Sequence, residues 1–307
     1  MTYTELINDS LNLYVEGKYS EALNLLKYGE KRINKGIFSQ IDSFKACIAC
    51  KAGMPDEGMD ILKNAIFNKG FWYSQEFLLE DDDLELIRDS EDFKKILDKC
   101  SEREKGERNE ITFTSKELLP NNKDFKGWII ALHGNQENID LTEYYWKDCM
   151  KKNYALSLFQ SDDIEFSNAY SWNDYSKSSK ELQKHINLLE KKYKASQKEL
   201  ILGGFSAGAG VVLETILNKY VLPNKCILVA PWIPDIEKIK KRLNTFKEHN
   251  IEINIIIGTK DDDCNDCTEE LINVLYKERI AYNLTLIDGL KHDYPLNFEE
   301  ILNNILD

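Results

Sequence analysis

The sequence predicts an α/β protein, a mostly parallel sheet with helices on both faces, preceded by a small all-α, repeat-like domain. Three observations predict it. Residues 3–99 carry apolar positions at three- and four-residue steps, as in Leu6, Leu11, Leu13, Ala22, Leu25 and Leu26, and no strand-like run. From residue 111 onward, short β-rich apolar runs alternate with helical stretches, the pattern of a parallel sheet with crossover helices. In the helical part, EGKYSEALNLL and KAGMPDEGMDILKNA resemble each other at a 36-residue offset, each with a turn glycine, Gly17 or Gly53.

Composition narrows the function classes. A chain of 307 residues with 42% hydrophobic and 30% charged residues is an ordinary globular mixture, long enough for one large domain or two modest ones. Its net charge of −13 is spread over both halves, with no basic stripe to attract a phosphate backbone, so nucleic acid is excluded as a partner. Runs such as Trp128–Leu132 and Ile255–Ile257 are far too short for a membrane span, and the opening segment, with Glu5, has no apolar core of a signal peptide. Seven cysteines, an odd number at irregular spacings, fit free thiols in a reducing compartment, and a cytoplasmic location is expected.

Along the chain, residues 1–100 read as a helical domain, 101–110 as a charged linker and 111–307 as the α/β domain. The repeated segments, with Gly17, Ala22 and Leu26 against Gly53, Gly58 and Leu62, are similar to a degenerate tetratricopeptide repeat, though two units also suit a plain packed helical hairpin. Asp81–Asp83 and Ser90-Glu-Asp open short helices as caps, a metal site at the triple Asp lacking any nearby histidine. A cap at Gly70 throws Phe71, Trp72 and Tyr73 into a loop, where burial against the α/β domain is expected. SEREKGERNE, charged and without a large apolar residue, reads as the linker. Strands are then expected near 111–114 and at 127–134, 154–159, 199–203, 225–230, 251–257 and 281–287. Helices are expected at 142–151, 174–194, 207–220, 235–249, 268–278 and 298–306.

The chemistry gathers at the carboxyl ends of those strands. Gly204-Phe-Ser206-Ala-Gly208 has the form G-x-S-x-G between a strand and a helix, which presents a serine on a tight turn. Glycines two residues to either side are needed because a Cβ there would collide with neighbouring backbone. A serine hydroxyl needs a base. Of His133, His185, His249 and His292, only His292, in the loop after the last strand, is placed to serve; His185 lies mid-helix and His249 at a helix end. An orienting acid is expected at Asp261, three residues beyond Gly258. An oxyanion requires backbone donors, for which the N–H groups of Ala207 and Asn135 are first choices and Gln136 the second. Gln136, Trp172, Trp232 and Tyr294 are candidate substrate-binding residues. Cys264-Asn-Asp-Cys267 reads as a capped helix start with buried thiols, a redox pair or half of a metal site.

LHGN (132–135), GGFSAG (203–208), GTKD (258–261) and GLKHDYP (289–295) together resemble an α/β-hydrolase serine esterase of the dienelactone-hydrolase and phospholipase/carboxylesterase group. The resemblance covers about the last 200 residues. It implies an α/β-hydrolase fold and hydrolysis of a small-molecule carboxylic or thio ester through a Ser206–His292–Asp261 triad and an acyl-enzyme, with no cofactor and no metal. It lacks the HGGG oxyanion loop of lipases. The same triad serves a peptidase or acyl-transferase, and a second class remains: a non-catalytic interaction protein that binds a protein partner through its helical domain.

Overall fold

The computed structural model describes residues 1–122, 124–193 and 198–307. The chain divides into two compact units, Met1–Thr112 with Ile164–Tyr170, and Phe113–Asp163 with Ser171–Asp307.

The first unit is built from seven helices: α1 (Tyr3–Val15), α2 (Tyr19–Gly29), α3 (Phe38–Lys51), α4 (Pro55–Lys63, continued by a π-helical turn Asn64–Asn68), α5 (Gln75–Glu80), α6 (Glu85–Arg88) and α7 (Glu91–Glu110). The two similar segments form the α1–α2 and α3–α4 corners, turned by Gly17 at φ 74° and Gly53 at φ 77°. Asp81 caps a short turn by accepting from Asp83 N–H at 2.9 Å, and Ser90 caps α7 by accepting from Phe93 N–H at 3.2 Å. Residues 101–110 are not a linker. They are the last turns of α7, and their charges lie in helical pairs such as Glu104–Arg108, 2.9 Å apart.

The aromatic loop after Gly70 meets the expectation only in part. Trp72 and Tyr73 are each 1% exposed, and they bury in the helical unit's own core with Phe93, Ile96 and Cys100. Ile164, Phe166 and Tyr170 of a hairpin absent from the sequence expectation, β4 (Asp163–Phe166) and β5 (Ala169–Ser171), complete that core. Ser167 at its tip accepts from Trp72 N–H at 2.7 Å through Oγ and donates its own N–H back to Trp72 O at 3.2 Å.

The second unit holds a seven-stranded sheet in the order β1-β3-β2-β6-β7-β8-β9. Its strands are β1 (Thr114–Leu118), β2 (Gly127–Leu132), β3 (Tyr154–Gln160), β6 (Glu199–Phe205), β7 (Lys225–Val229), β8 (Glu252–Gly258) and β9 (Asn283–Ile287). Only β1 runs antiparallel, and it lies three residues later than the edge strand expected at 111–114. Helices α8 (Ile139–Trp146), α9 (Tyr175–Tyr193), α10 (Ala207–Leu217), α11 (Ile236–Lys240), α12 (Asn244–Glu248), α13 (Asn265–Lys277) and α14 (Phe298–Leu306) cover both faces. Trp128, Ile130 and Leu132 of β2 join a core with Leu182 and Ile186 of α9 and Val211 and Val212 of α10. On the opposite face Trp146 lies against Gly203, and its ring meets Phe298 of α14 edge-on at 5.2 Å. The single helix expected at 235–249 is two, and the break lets Ile236, Ile239, Leu243 and Phe246 all bury. Leu132 sits level with Phe159 and Gly204, so the loops after β2, β3 and β6 open at the same carboxyl edge, where ligands bind in such sheets.

Candidate active site

Ser206 stands between the end of β6 and the first residue of α10 at φ 52°, ψ −121°, a backbone state that a non-glycine residue occupies only under constraint. The constraint is visible. Ser206 N–H donates to Val229 O at 2.9 Å, and Ser206 O accepts from Trp232, Ala209 and Gly210 N–H at 3.0–3.3 Å. A Cβ at Gly204 would come within 2.6 Å of Ala209 N, and one at Gly208 within 2.3 Å of His133 O. Both glycines are therefore required by close backbone approach.

Asp261 follows β8 and is fully buried, whereas its neighbours Asp262 and Asp263 are exposed. Its Oδ1 accepts from Cys264 N–H at 2.9 Å and Asp263 N–H at 3.2 Å. His292 Nδ1 lies 2.9 Å from Oδ2 and 3.1 Å from Oδ1. A carboxylate only accepts, so Nδ1 carries the proton and Nε2 is left as the basic nitrogen. The imidazole also packs 4.8 Å from the ring of Phe205, the residue before Ser206. Burial alone would lower the His292 pKa, but the hydrogen bond it donates to Asp261 and the negative charges of Asp261, Asp263 and Glu137 raise it above the usual imidazole value.

The acid and histidine loops are stitched together by backbone. Lys260 N–H donates to Leu290 O at 2.9 Å, Thr259 N–H to Ile287 O at 2.9 Å, and Gly289 N–H to Thr259 Oγ1 at 2.8 Å. The glycine of GTKD makes this possible: a Cβ on Gly258 would lie 2.0 Å from Leu290 O.

The loop after β2 is ordered by buried polar groups. His133 is fully buried, with Nδ1 2.6 Å from Gly134 O and Nε2 3.2 Å from Ser161 N–H. One nitrogen thus donates and the other accepts, the neutral tautomer, and burial pulls its pKa down to about 4. Trp172 stacks on this ring at 4.6 Å, donates Nε1–H to His133 O at 2.7 Å and donates its N–H to Asn135 Oδ1 at 2.9 Å. Gln136 takes φ 58°, and its N–H donates to Ser171 Oγ at 3.3 Å, which removes it as an oxyanion donor. The N–H groups of Asn135 and Ala207 have no hydrogen-bond acceptor among the described residues.

A cavity of about 590 Å³ adjoins this site, bordered by Asn135, Trp172, Tyr175, Gly210, Trp232 and Ile233. It receives both predicted tryptophans, Trp232 being 40% exposed and Trp172 2%. Tyr294 is a correction. It is 3% exposed, its hydroxyl accepts from Trp146 Nε1–H at 3.0 Å, and its ring stacks 3.9 Å from Tyr145, so it anchors α8 and has no face for substrate. His185 meets Ser157 Oγ at 2.7 Å and His249 caps the end of α12, both remote in role from the serine turn.

Glu137 was not foreseen. Its carboxylate accepts from Gly134 N–H at 2.8 Å in a buried setting, and that burial pushes its pKa up to about 7. Among the described residues it forms no ion pair, and the nearby His292 offsets only part of the effect of burial. The signal in the sequence, an acidic residue three positions after the strand-end His-Gly, has meaning only once the loop is known to be buried.

Among known proteins, a family described as A/B hydrolase-like, N-terminal domain matches residues 2–108. The crystal structure of an uncharacterized protein from Bacillus cereus matches with 36% identity and TM-score 0.58, over 100% of this chain and 98% of that one. The fold is shared by esterase PE8 (17% identity, TM-score 0.54, 64% of this chain and 98% of that one). It is shared also by a Bacillus cereus carboxylesterase (15%, 0.51, 65% and 96%). No curated protein matches. Among the described residues no helix is long and apolar enough to cross a membrane.

Proposed function

The chain belongs to the α/β-hydrolase superfamily, in one family with the Bacillus cereus protein that matches it end to end, and from that premise we propose that it is a serine carboxylesterase acting on carboxylic or thio esters. The observation that carries the reading is the buried Asp261 carboxylate bound to His292 Nδ1, with the imidazole packed on Phe205, the residue before a serine held at φ 52° between two obligatory glycines.

In this reading His292 Nε2 takes the Ser206 proton as Oγ attacks the ester carbonyl carbon. Asp261 fixes the imidazole tautomer and stabilises the imidazolium. The Ala207 and Asn135 N–H groups receive the oxyanion, each worth roughly 3–4 kcal/mol of barrier. The imidazolium then protonates the leaving alkoxide or thiolate, giving an acyl-Ser206 ester. Water, activated by the same histidine, attacks that ester and returns free Ser206 and a carboxylic acid. No step calls on a cofactor. The adjoining cavity, with Trp172 and Trp232 on its walls, lies in the size range of sites for drug-sized ligands, about 300–1,000 Å³. It therefore favours a substrate larger than an acetyl ester.

The helical unit is not part of this chemistry. Its two glycine-turned helical corners support a tetratricopeptide-like module that engages a protein partner.

A panel of p-nitrophenyl esters from acetyl to octanoyl and benzoyl tests the assignment. We expect turnover with kcat/KM rising beyond the acetyl ester and a loss of that rise in Trp232→Ala. No turnover of any ester or thioester above a Ser206→Ala control would reject it.

A further inference from the structure

Cys264 and Cys267 sit immediately behind the acid loop, at the start of α13. Cys264 is the N-cap residue and Cys267 lies in the first turn, three residues on. Residues at that spacing are neighbours on one helix face, and here the Cys267 thiol donates to the backbone carbonyl of Cys264. Cys264 is fully buried, and its backbone N–H is a donor that fixes Asp261 Oδ1. Its Sγ, a carboxylate oxygen of Asp261 and a ring nitrogen of His292 all lie within 4.8 Å of one another. Cys267 is half-buried and its Sγ reaches Pro231 O and Cys264 O, each at 3.3 Å.

The pair is asymmetric in a way that suits exchange chemistry. The neighbouring Cys264 lowers the Cys267 thiol to about 7, while the neighbouring Cys267 and burial raise Cys264. The other five cysteines are buried. Only at this pair do a half-exposed thiol and an adjacent resolving thiol come together among the described residues.

We propose that Cys264 and Cys267 are a reversible redox-modification site whose substrate is a low-molecular-weight disulfide, and that its oxidised form weakens the Asp261–His292 pair. The second half rests on the hydrolase reading; the first does not. Cys267 thiolate attacks one sulfur of the disulfide RSSR, breaking its S–S bond, forming a Cys267–SR mixed disulfide and releasing RS⁻. Cys264, losing its proton to solvent, then attacks the Cys267 sulfur, displaces the second RS⁻ and closes the Cys264–Cys267 bond. Two thiols are oxidised by two electrons, RSSR is reduced to two RSH, and the two thiol protons end on the released thiols. Closing that bond draws Cys264 toward Cys267. Cys264 N–H then no longer points squarely at Asp261 Oδ1, and the carboxylate that orients His292 loses part of its hold.

The full chain, reduced and freed of metal with a chelator, is equilibrated in glutathione buffers of increasing disulfide content. It is then quenched, blocked with N-ethylmaleimide and mapped by peptide mass. The peptide bearing 264–267 is expected unalkylated and lighter by two hydrogens in oxidising buffer, with the other five cysteines still reduced. Turnover of the best p-nitrophenyl ester is expected to fall roughly tenfold, the effect of weakening one hydrogen bond to a charged group. It is expected to recover with dithiothreitol and to be insensitive in Cys267→Ser. Alkylation of both thiols in the most oxidising buffer, or glutathione retained on Cys267 without an internal bond, overturns the site. An internal disulfide with unchanged turnover overturns its coupling to the pair. If the reduced protein turns over no ester, it is the hydrolase reading that has failed, and the mass readout still decides the site.

Discussion

Two loops at the carboxyl edge of one sheet each bury a carboxyl group, and they treat it in opposite ways. After β8, Asp261 receives two backbone N–H bonds and the imidazole of His292. After β2, Glu137 receives one N–H, from Gly134, and burial drives its pKa to about 7. The difference is the number of donors aimed at the group. Removing a carboxylate from water is costly unless hydrogen bonds replace the lost solvation. Asp261 is furnished with enough of them to hold the His292 imidazole; Glu137 is left able to change charge near neutral pH.

The largest effect should come from breaking the well-supplied side. Asp261→Asn removes the acceptor that fixes the His292 tautomer, and kcat should fall ~10,000-fold, the scale found when a triad acid is made neutral. His292→Ala should fall at least as far, whereas His249→Ala, at a helix end, should leave the rate unchanged. The pH profile sharpens the point. The base acts only when neutral, so kcat/KM of the wild type should rise with pH to a half-maximum above the usual imidazole value of about 6.5. In Asp261→Asn the residual activity should show that half-maximum at lower pH. Equal kcat in Asp261→Asn and wild type would dissolve the contrast between the loops.

A smaller effect belongs to Glu137. A carboxyl whose pKa is raised on folding favours the folded state below its unfolded value, and that contribution is lost as pH rises through the folded value. Glu137 therefore costs stability progressively between about pH 4.5 and pH 7. The Glu137→Gln variant does not titrate, so its stability relative to wild type should climb across that window by on the order of 3 kcal/mol. Parallel urea curves for both proteins from pH 4.5 to 8 check this. A constant gap would mean that Glu137 is ionised as readily in the fold as in water.

What could be read from the sequence follows from the same geometry. The placement of Ser206, Asp261 and His292 at strand ends is legible because the loops that hold them demand particular residues. Gly204 and Gly208 leave no room for a Cβ, Gly258 admits the Leu290 carbonyl, and each falls next to an apolar strand whose period is plain. The strands and most helices of the second unit follow from that period. The hairpin at 163–171 is not legible, because it is short and polar and its partners, Trp72 and Ser39, lie about a hundred residues away in the chain. SEREKGERNE misleads because its charge suits a solvated loop and a solvated helix face equally, and only the pairing Glu104–Arg108 separates them. Tyr294 misleads by proximity: it is two residues from His292, yet its side chain turns into the stack with Tyr145. Glu137 needs knowledge of burial that no local pattern carries.

The central claim is that Ser206 is made nucleophilic by His292. A fluorophosphonate probe, followed by peptide mass mapping of the intact chain, tests it directly. The account predicts a single phosphonyl adduct on Ser206, absent in Ser206→Ala and strongly slowed in His292→Ala. No adduct on the wild type, or one of equal rate in the His292 variant, would contradict it.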